Sequence, residues 1–163
     1  MSNVIGFYNQ NDSYGCFSNF YPCKFTVDGI TFTSSEQYMM FTKACLFGDR
    51  EIAFKILSTH DCKTIKAYGR EVRGYNDAIW GANRFELVRA GLYEKFSQNE
   101  DLKKILLSTG DATLAECAGR DSIWGIGLSV SNPNVQNPSL WRGQNLLGKC
   151  LMNVRSMLKD TVD

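Results

Sequence analysis

No apolar run in this chain approaches the ~20 residues that a helix needs to cross a bilayer, and its start, Met1-Ser2-Asn3-Val4, has neither a basic n-region nor a secretory h-region. A cytoplasmic location with no membrane partner is therefore expected. Proline is scarce, at positions 22, 133 and 138 only, and no linker, repeat or low-complexity segment interrupts the chain. One domain over residues 1–163 is expected rather than two. Charge of one sign is missing as well: 18 Lys plus Arg face 17 Asp plus Glu, so no long-range field gathers nucleic acid, and any phosphate must be gripped locally.

The chemical absences are as informative. There is no GxxxxGK[ST] phosphate loop, no GxGxxG after a strand and no HExxH. The single histidine, His60, lies in the turn-like Ser58-Thr59-His60-Asp61, which leaves no Ser/His/Asp or Cys/His constellation. The six cysteines, at 16, 23, 45, 62, 117 and 150, are scattered without a CxxC pair and read as small hydrophobes of a reducing compartment. No metal and no organic cofactor is expected. Carboxylate and lysine chemistry is what remains.

The chain's 163 residues, 44% of them hydrophobic, suffice to bury a core. Residues 4–8 read as a strand, and residues 23–27 and 30–33 flank Asp28-Gly29, the two-residue signal of a hairpin, so a small sheet opens the fold. Ser34 with Gln37 three residues on is a capping box that starts a helix running to about Leu46. Asp49 and Asp61 are candidate caps of two short helices, and a longer helix over 76–97 carries Ile79, Trp80, Phe85, Val88, Leu92 and Phe96. Leu102, Ile105 and Leu106 mark another helix that Gly110 ends, and residues 113–118 a short strand. Gly, Pro, Asn and Ser make 119–142 irregular, and Leu147, Cys150, Leu151, Val154, Met157 and Leu158 define a last amphipathic helix. The fold class is α+β: a helix-rich single domain with a small N-terminal antiparallel sheet.

Five stretches could carry chemistry. On the helix after Ser34, Glu36 and Lys43 are seven residues apart, so at about 100° per residue they point the same way, about 10 Å apart along the axis. A ligand could lie between them; the competing reading is that each only complements its end of the helix dipole. In Asp121-Ser122-Ile123-Trp124-Gly125-Ile126-Gly127 an acid precedes an indole that offers a flat face to a base, and glycines that allow close backbone approach. A tight turn explains the same residues. In Trp141-Arg142-Gly143-Gln144-Asn145 polar groups sit at the start of the last helix, where free amides could hold phosphate, or where Asn145 is simply a cap. Asn19, set among aromatics in Phe17-Ser18-Asn19-Phe20, could read a base edge or cap its loop, and Lys66 with Arg70 could clamp phosphate or form a solvated face.

Together these motifs bring a family into view. The chain resembles the YbiA-like, or NADAR, proteins from about Gly6 to Leu158. The likeness rests on Phe17-Ser18-Asn19-Phe20, Gly29 with Phe32, Ser35-Glu36-Gln37-Tyr38, Lys43-Ala44 and Gly69-Arg70. It continues in Asp121 with Trp124-Gly125-Ile126-Gly127, and in Trp141, Gly143, Asn145, Leu147 and Gly148. Gln37 stands where the family more usually has His, and Val88 where Met is common.

The resemblance implies hydrolysis of an N-glycosidic bond. One branch acts on phosphorylated ribosylamino-pyrimidine intermediates of riboflavin synthesis, and another removes ADP-ribose from guanine in nucleic acid. It carries over Glu36, Lys43, Asp121 and Trp124 as active-site residues; Glu36, Lys43 and Asp121 are the expected catalytic residues, and Asn19, Phe20, Arg70, Trp80, Trp124, Gly125, Gly127 and Asn145 are expected around the substrate. Breaking a C1–N bond builds positive charge on the ribose, which a carboxylate facing C1 stabilises while activating water. Glu36 is the choice for that role, with Asp121 on ribose hydroxyls or handling the proton delivered to the departing base, and Trp124 on the base. Lys43 would hold phosphate or orient Glu36, or attack C1 itself as an amine, for which its pKa must be depressed. The partner is then a small ribosylated or ADP-ribosylated molecule, with nucleic acid only in the second branch. A module that binds NAD or ADP-ribose without cutting is the reading from another class.

Overall fold

The computed structural model describes residues 3–161. The chain forms two compact units, one from Pro22–Asn99 and one from the segments before Pro22 and after Asn99.

The Pro22–Asn99 unit begins with a hairpin in which β2 (Phe25–Val27) pairs antiparallel with β3 (Ile30–Phe32). Asp28 and Gly29 both have positive φ, 50° and 81°, the mirror-image turn that follows the right-handed twist of the strands. The inner hairpin face stacks Phe25 on Phe32 and sets Phe32 edge-on to Tyr38, with Phe41 and Leu57 alongside. Four helices follow: α1 (Ser35–Leu46), α2 (Arg50–Leu57), α3 (Cys62–Gly69) and α4 (Asp77–Gln98). Each starts where an oxygen-bearing side chain takes a free amide: Ser34 accepts from Gln37 N, Asp49 from Ile52 N, Asp61 from Thr64 N and Asn76 from Ile79 N. The Ser34 cap departs from a capping box in one respect. Gln37 reaches back to Thr33 N rather than to Ser34, because its amide nitrogen is held across the unit by Ile56 O and Thr59 O.

The other unit contains β1 (Val4–Phe7), α5 (Glu100–Ser108), β4 (Thr113–Glu116) and α6 (Leu146–Lys159). β1 does not join the hairpin. It runs parallel to β4 in a two-stranded sheet, Val4 opposite Thr113 and Phe7 opposite Glu116, a pairing that needs a long crossover and leaves no local turn signal. Val4, Ala115, Cys117, Ile126, Leu128 and Val135 form its core with Trp141 packed against them. The stretch 119–142 is irregular as its composition implies, except for two short 3₁₀ turns, Pro133–Gln136 and Pro138–Leu140, each opened by one of the three prolines.

Two residues read as core are on the surface. Ile79 is 48% exposed: nine positions before Val88, at about 100° each, it points to the opposite side of α4. Met157 is 39% exposed, about 80° off the direction of Leu147. No helix among the described residues is long and apolar enough to cross a membrane.

Candidate active site

In the Pro22–Asn99 unit, Glu36 occupies the first turn of α1 and is buried, 4% exposed. The segment around it is fixed on several sides. Gln37 ties the turn to the end of α2, the Tyr38 hydroxyl donates to Leu87 O on α4 at 3.0 Å, and Lys95, fully buried on α4, donates to Ser35 Oγ at 3.2 Å. The Cys62 thiol donates to Ser34 Oγ at 3.4 Å. Burial raises its pKa and the charge of Glu36 raises it further against that hydrogen bond, so Cys62 stays a thiol and is a poor nucleophile.

Two turns along α1, Lys43 is half-buried and donates from Nζ to Gly69 O at 2.8 Å, while its ammonium lies 4.7 Å from the centre of the Tyr75 ring. Gly69 leaves room there: a Cβ would collide with the Met40 side chain, which would have to move. Burial holds the Lys43 pKa below the ordinary lysine value. Glu36 opposes that depression and Arg70, at the end of α3, deepens it. Glu36 and Arg70 thus both act on the charge of Lys43. Trp80 is buried in the first turn of α4, and Arg70 is exposed.

In the other unit, Asp121 Oδ1 accepts from Ile123 N at 2.9 Å and Trp124 N at 2.8 Å. This Asx turn sets the Trp124 backbone and leaves Oδ2 without a hydrogen-bond partner among the described residues. Gly125 is buried, and a Cβ on it would sit 3.0 Å from both Asp121 O and Glu116 O; its missing side chain admits the chain's own backbone. Gly127 has φ of 73° and lies against Arg142. Asn145 sits in the left-handed region, φ 54°, and is fully engaged: Oδ1 accepts from Glu116 N and Nδ2 donates to Leu114 O.

The start of α6 is not an open phosphate cradle. Asn145 N, Leu146 N and Leu147 N donate to Gly125 O, Ile123 O and Trp124 O, so the preceding loop has already taken the amides that an anion would need. Asn19 is buried and Phe20 half-buried, just after the 3₁₀ turn Gly15–Phe17. Tyr75 was outside the sequence motifs because it precedes the α4 cap and belongs to no periodic stripe. Arg84 carried a usable signal: a cation four residues after Trp80 and four before Val88, on the buried face of α4.

An α+β fold with a buried acid and a desolvated lysine on one helix is an arrangement suited to an enzyme. The chain belongs to the NADAR family, matching the NADAR domain over residues 6–159. It is 45% identical over 145 residues to the N-glycosidase R617 of Acanthamoeba polyphaga mimivirus, covering 85% of each chain. It is 34% identical over 160 residues to the riboflavin biosynthesis protein VVA0006 of Vibrio vulnificus, covering 98% of this chain and 40% of that one. The solution structure of the Escherichia coli protein YbiA superposes with a TM-score of 0.81 at 30% identity, over 99% of this chain and 88% of that one.

Proposed function

We propose that this chain is a hydrolase of N-glycosyl bonds that cleaves the C1–N bond of a ribosylated base, with phosphorylated ribosylamino-pyrimidines as its substrate class. The observation that carries the reading is the pairing on α1 of buried Glu36 with half-buried Lys43, whose pKa burial depresses, in a family with a relative named as an N-glycosidase. Water supplies a hydroxyl to C1 and a proton to the departing nitrogen. Glu36 faces C1, stabilises the charge that grows on the ribose ring as the bond breaks, and takes the proton of the attacking water. Asn145 is assigned to the scaffold, since both ends of its amide already hold β4.

Lys43 supports a second route. Desolvation and Arg70 both favour the neutral amine, the form that can attack C1 and expel the base, the amine's proton going to the departing nitrogen; opening of the ring C1–O bond then gives an iminium that water hydrolyses to free sugar and amine. The deciding experiment incubates the purified protein separately with ribosylamino-pyrimidine phosphates, ADP-ribosylated DNA and NAD, with products identified by mass spectrometry. Free base from the first supports the reading. Release only from the DNA or from NAD moves the substrate assignment, and release from none of the three defeats it.

A further inference from the structure

On α4, Trp80, Arg84, Val88, Leu92 and Phe96 follow one another every fourth residue, and the four apolar members are at most 5% exposed. The odd member is a cation. Its Nε is sealed from solvent and donates to no acceptor, and Arg84 takes part in no salt bridge among the described residues. Arg73 shows the usual arrangement: its guanidinium is shared between Asp49 and Glu51. An Nε–H withdrawn from water without an acceptor has lost hydration that the protein does not replace, while Arg84 as a whole is only half-buried.

The helix register says what Arg84 faces. α1 and α4 run antiparallel: Lys95 meets Ser35 near the start of α1, and the next turn of α1 places Tyr38 against Gly91 and Leu87. Continuing at one residue of α4 per residue of α1 brings Arg84 opposite the turn that carries Lys43. Tyr75 closes the same neighbourhood. Its ring lies by the Lys43 ammonium, its phenol feels the Arg84 charge, and its hydroxyl donates to Asp77 Oδ1 at 2.8 Å, which occupies that acid. Lys43 and Arg84 thus both act in the neighbourhood of one aromatic ring, Arg70 acts on Lys43, and the acid that offsets Lys43 is Glu36.

We propose that Arg84 is an oxyanion-binding residue that takes a phosphate oxygen of the substrate and, with Arg70, sets the preference for a phosphorylated ribosylated base. This rests on the reaction proposed above and adds to it the residue that selects the phosphate. The planar guanidinium is suited to two phosphate oxygens at once, and the anion would restore the interactions its burial removed.

The test compares wild type, Arg84→Gln and Arg84→Lys on a ribosylamino-pyrimidine phosphate and on its dephosphorylated counterpart, alongside melting curves with and without inorganic phosphate. Arg84→Gln should cut the preference for the phosphorylated substrate, measured as the ratio of kcat/KM values, by about 10- to 100-fold, the usual worth of a hydrogen bond to a charged group. The loss should lie mainly in KM, with Arg84→Lys recovering part of it. An unchanged ratio overturns the proposal. Inorganic phosphate should raise the melting temperature of wild type and not that of Arg84→Gln; an equal rise in both, or none in wild type, also overturns it. The phosphate measurement stands when no substrate is cleaved, so a failure of the reaction and a failure of Arg84 are told apart. If Arg84→Gln does not fold, Arg84→Lys carries both comparisons, with a smaller expected drop.

Discussion

Replacing Glu36 by Gln keeps the shape of a side chain that is 4% exposed and removes its charge. If its carboxylate lies about 4 Å from the developing charge on the ribose, Coulomb's law at an effective dielectric of about 20 gives about 4 kcal/mol of transition-state stabilisation. Removing a single preorganised electrostatic group typically costs about 10²- to 10³-fold in kcat, or about 2.7–4 kcal/mol, in agreement with that figure. A second effect follows from the position of Lys43 on the same helix. Glu36 is the group that holds the Lys43 pKa up against burial and Arg70, so in the variant that pKa falls further and any limb of the pH–rate profile that reports Lys43 moves to lower pH. The assay is single-turnover release of base, quantified by mass spectrometry across the neutral and alkaline range, with circular dichroism and melting curves to show that the fold is intact. Near-normal turnover by a folded Glu36→Gln protein removes Glu36 from the chemistry. A large loss with the profile unmoved refutes the electrostatic link to Lys43.

Other consequences can be measured independently. Borohydride added during turnover should leave a sugar adduct on Lys43 if the amine attacks C1; an unmodified protein mass with confirmed turnover assigns the attack to water. Gln37→Ala leaves Thr33 N, Ile56 O and Thr59 O without the partner they now share, and urea unfolding should show a loss of about 3 kcal/mol, at about 1–3 kcal/mol per unsatisfied buried group. A loss under about 1 kcal/mol would mean that water replaces the amide there. Asn145→Ala removes the bonds to Glu116 N and Leu114 O and puts a Cβ-bearing residue without a local hydrogen bond at φ 54°; it should cost about 3 kcal/mol of stability. A change in KM with stability intact would return Asn145 to the substrate.

The parts of this fold that could be read from the chain are those whose physics is local. Ser34, Asp49, Asp61 and Asn76 each cap a helix because a short polar side chain reaches an amide three residues ahead. Asp28-Gly29 turns the hairpin because both residues accept positive φ. The parallel pairing of β1 with β4 was hidden because its partners are separated by most of the chain and share no turn. The start of α6 misled for a related reason. A helix N-terminus offers free amides only until another segment takes them, and the segment that does so here, residues 122–125, has no signature of that role in its own sequence.

The same distinction governs the candidate site. Glu36 and Lys43 were legible because seven residues bring a helix back to nearly the same direction, and α1 keeps that relation. What the spacing cannot supply is the environment that makes the pair reactive. Lys43 is an unusual amine chiefly because burial strips water from it, with Arg70 adding to the depression and Glu36 opposing it, while the Gly69 carbonyl and the Tyr75 ring fix where its ammonium lies. The absence of a side chain at 69 leaves room there for Met40. Gln37 makes the point from the other side. It stands where the family more usually has histidine, and its bonds to Thr33, Ile56 and Thr59 make it a strut that fixes the turn holding Glu36. A motif names the groups that can react; the residues packed around them set their charge and direction, and those residues are recognised only once the helices are placed against each other.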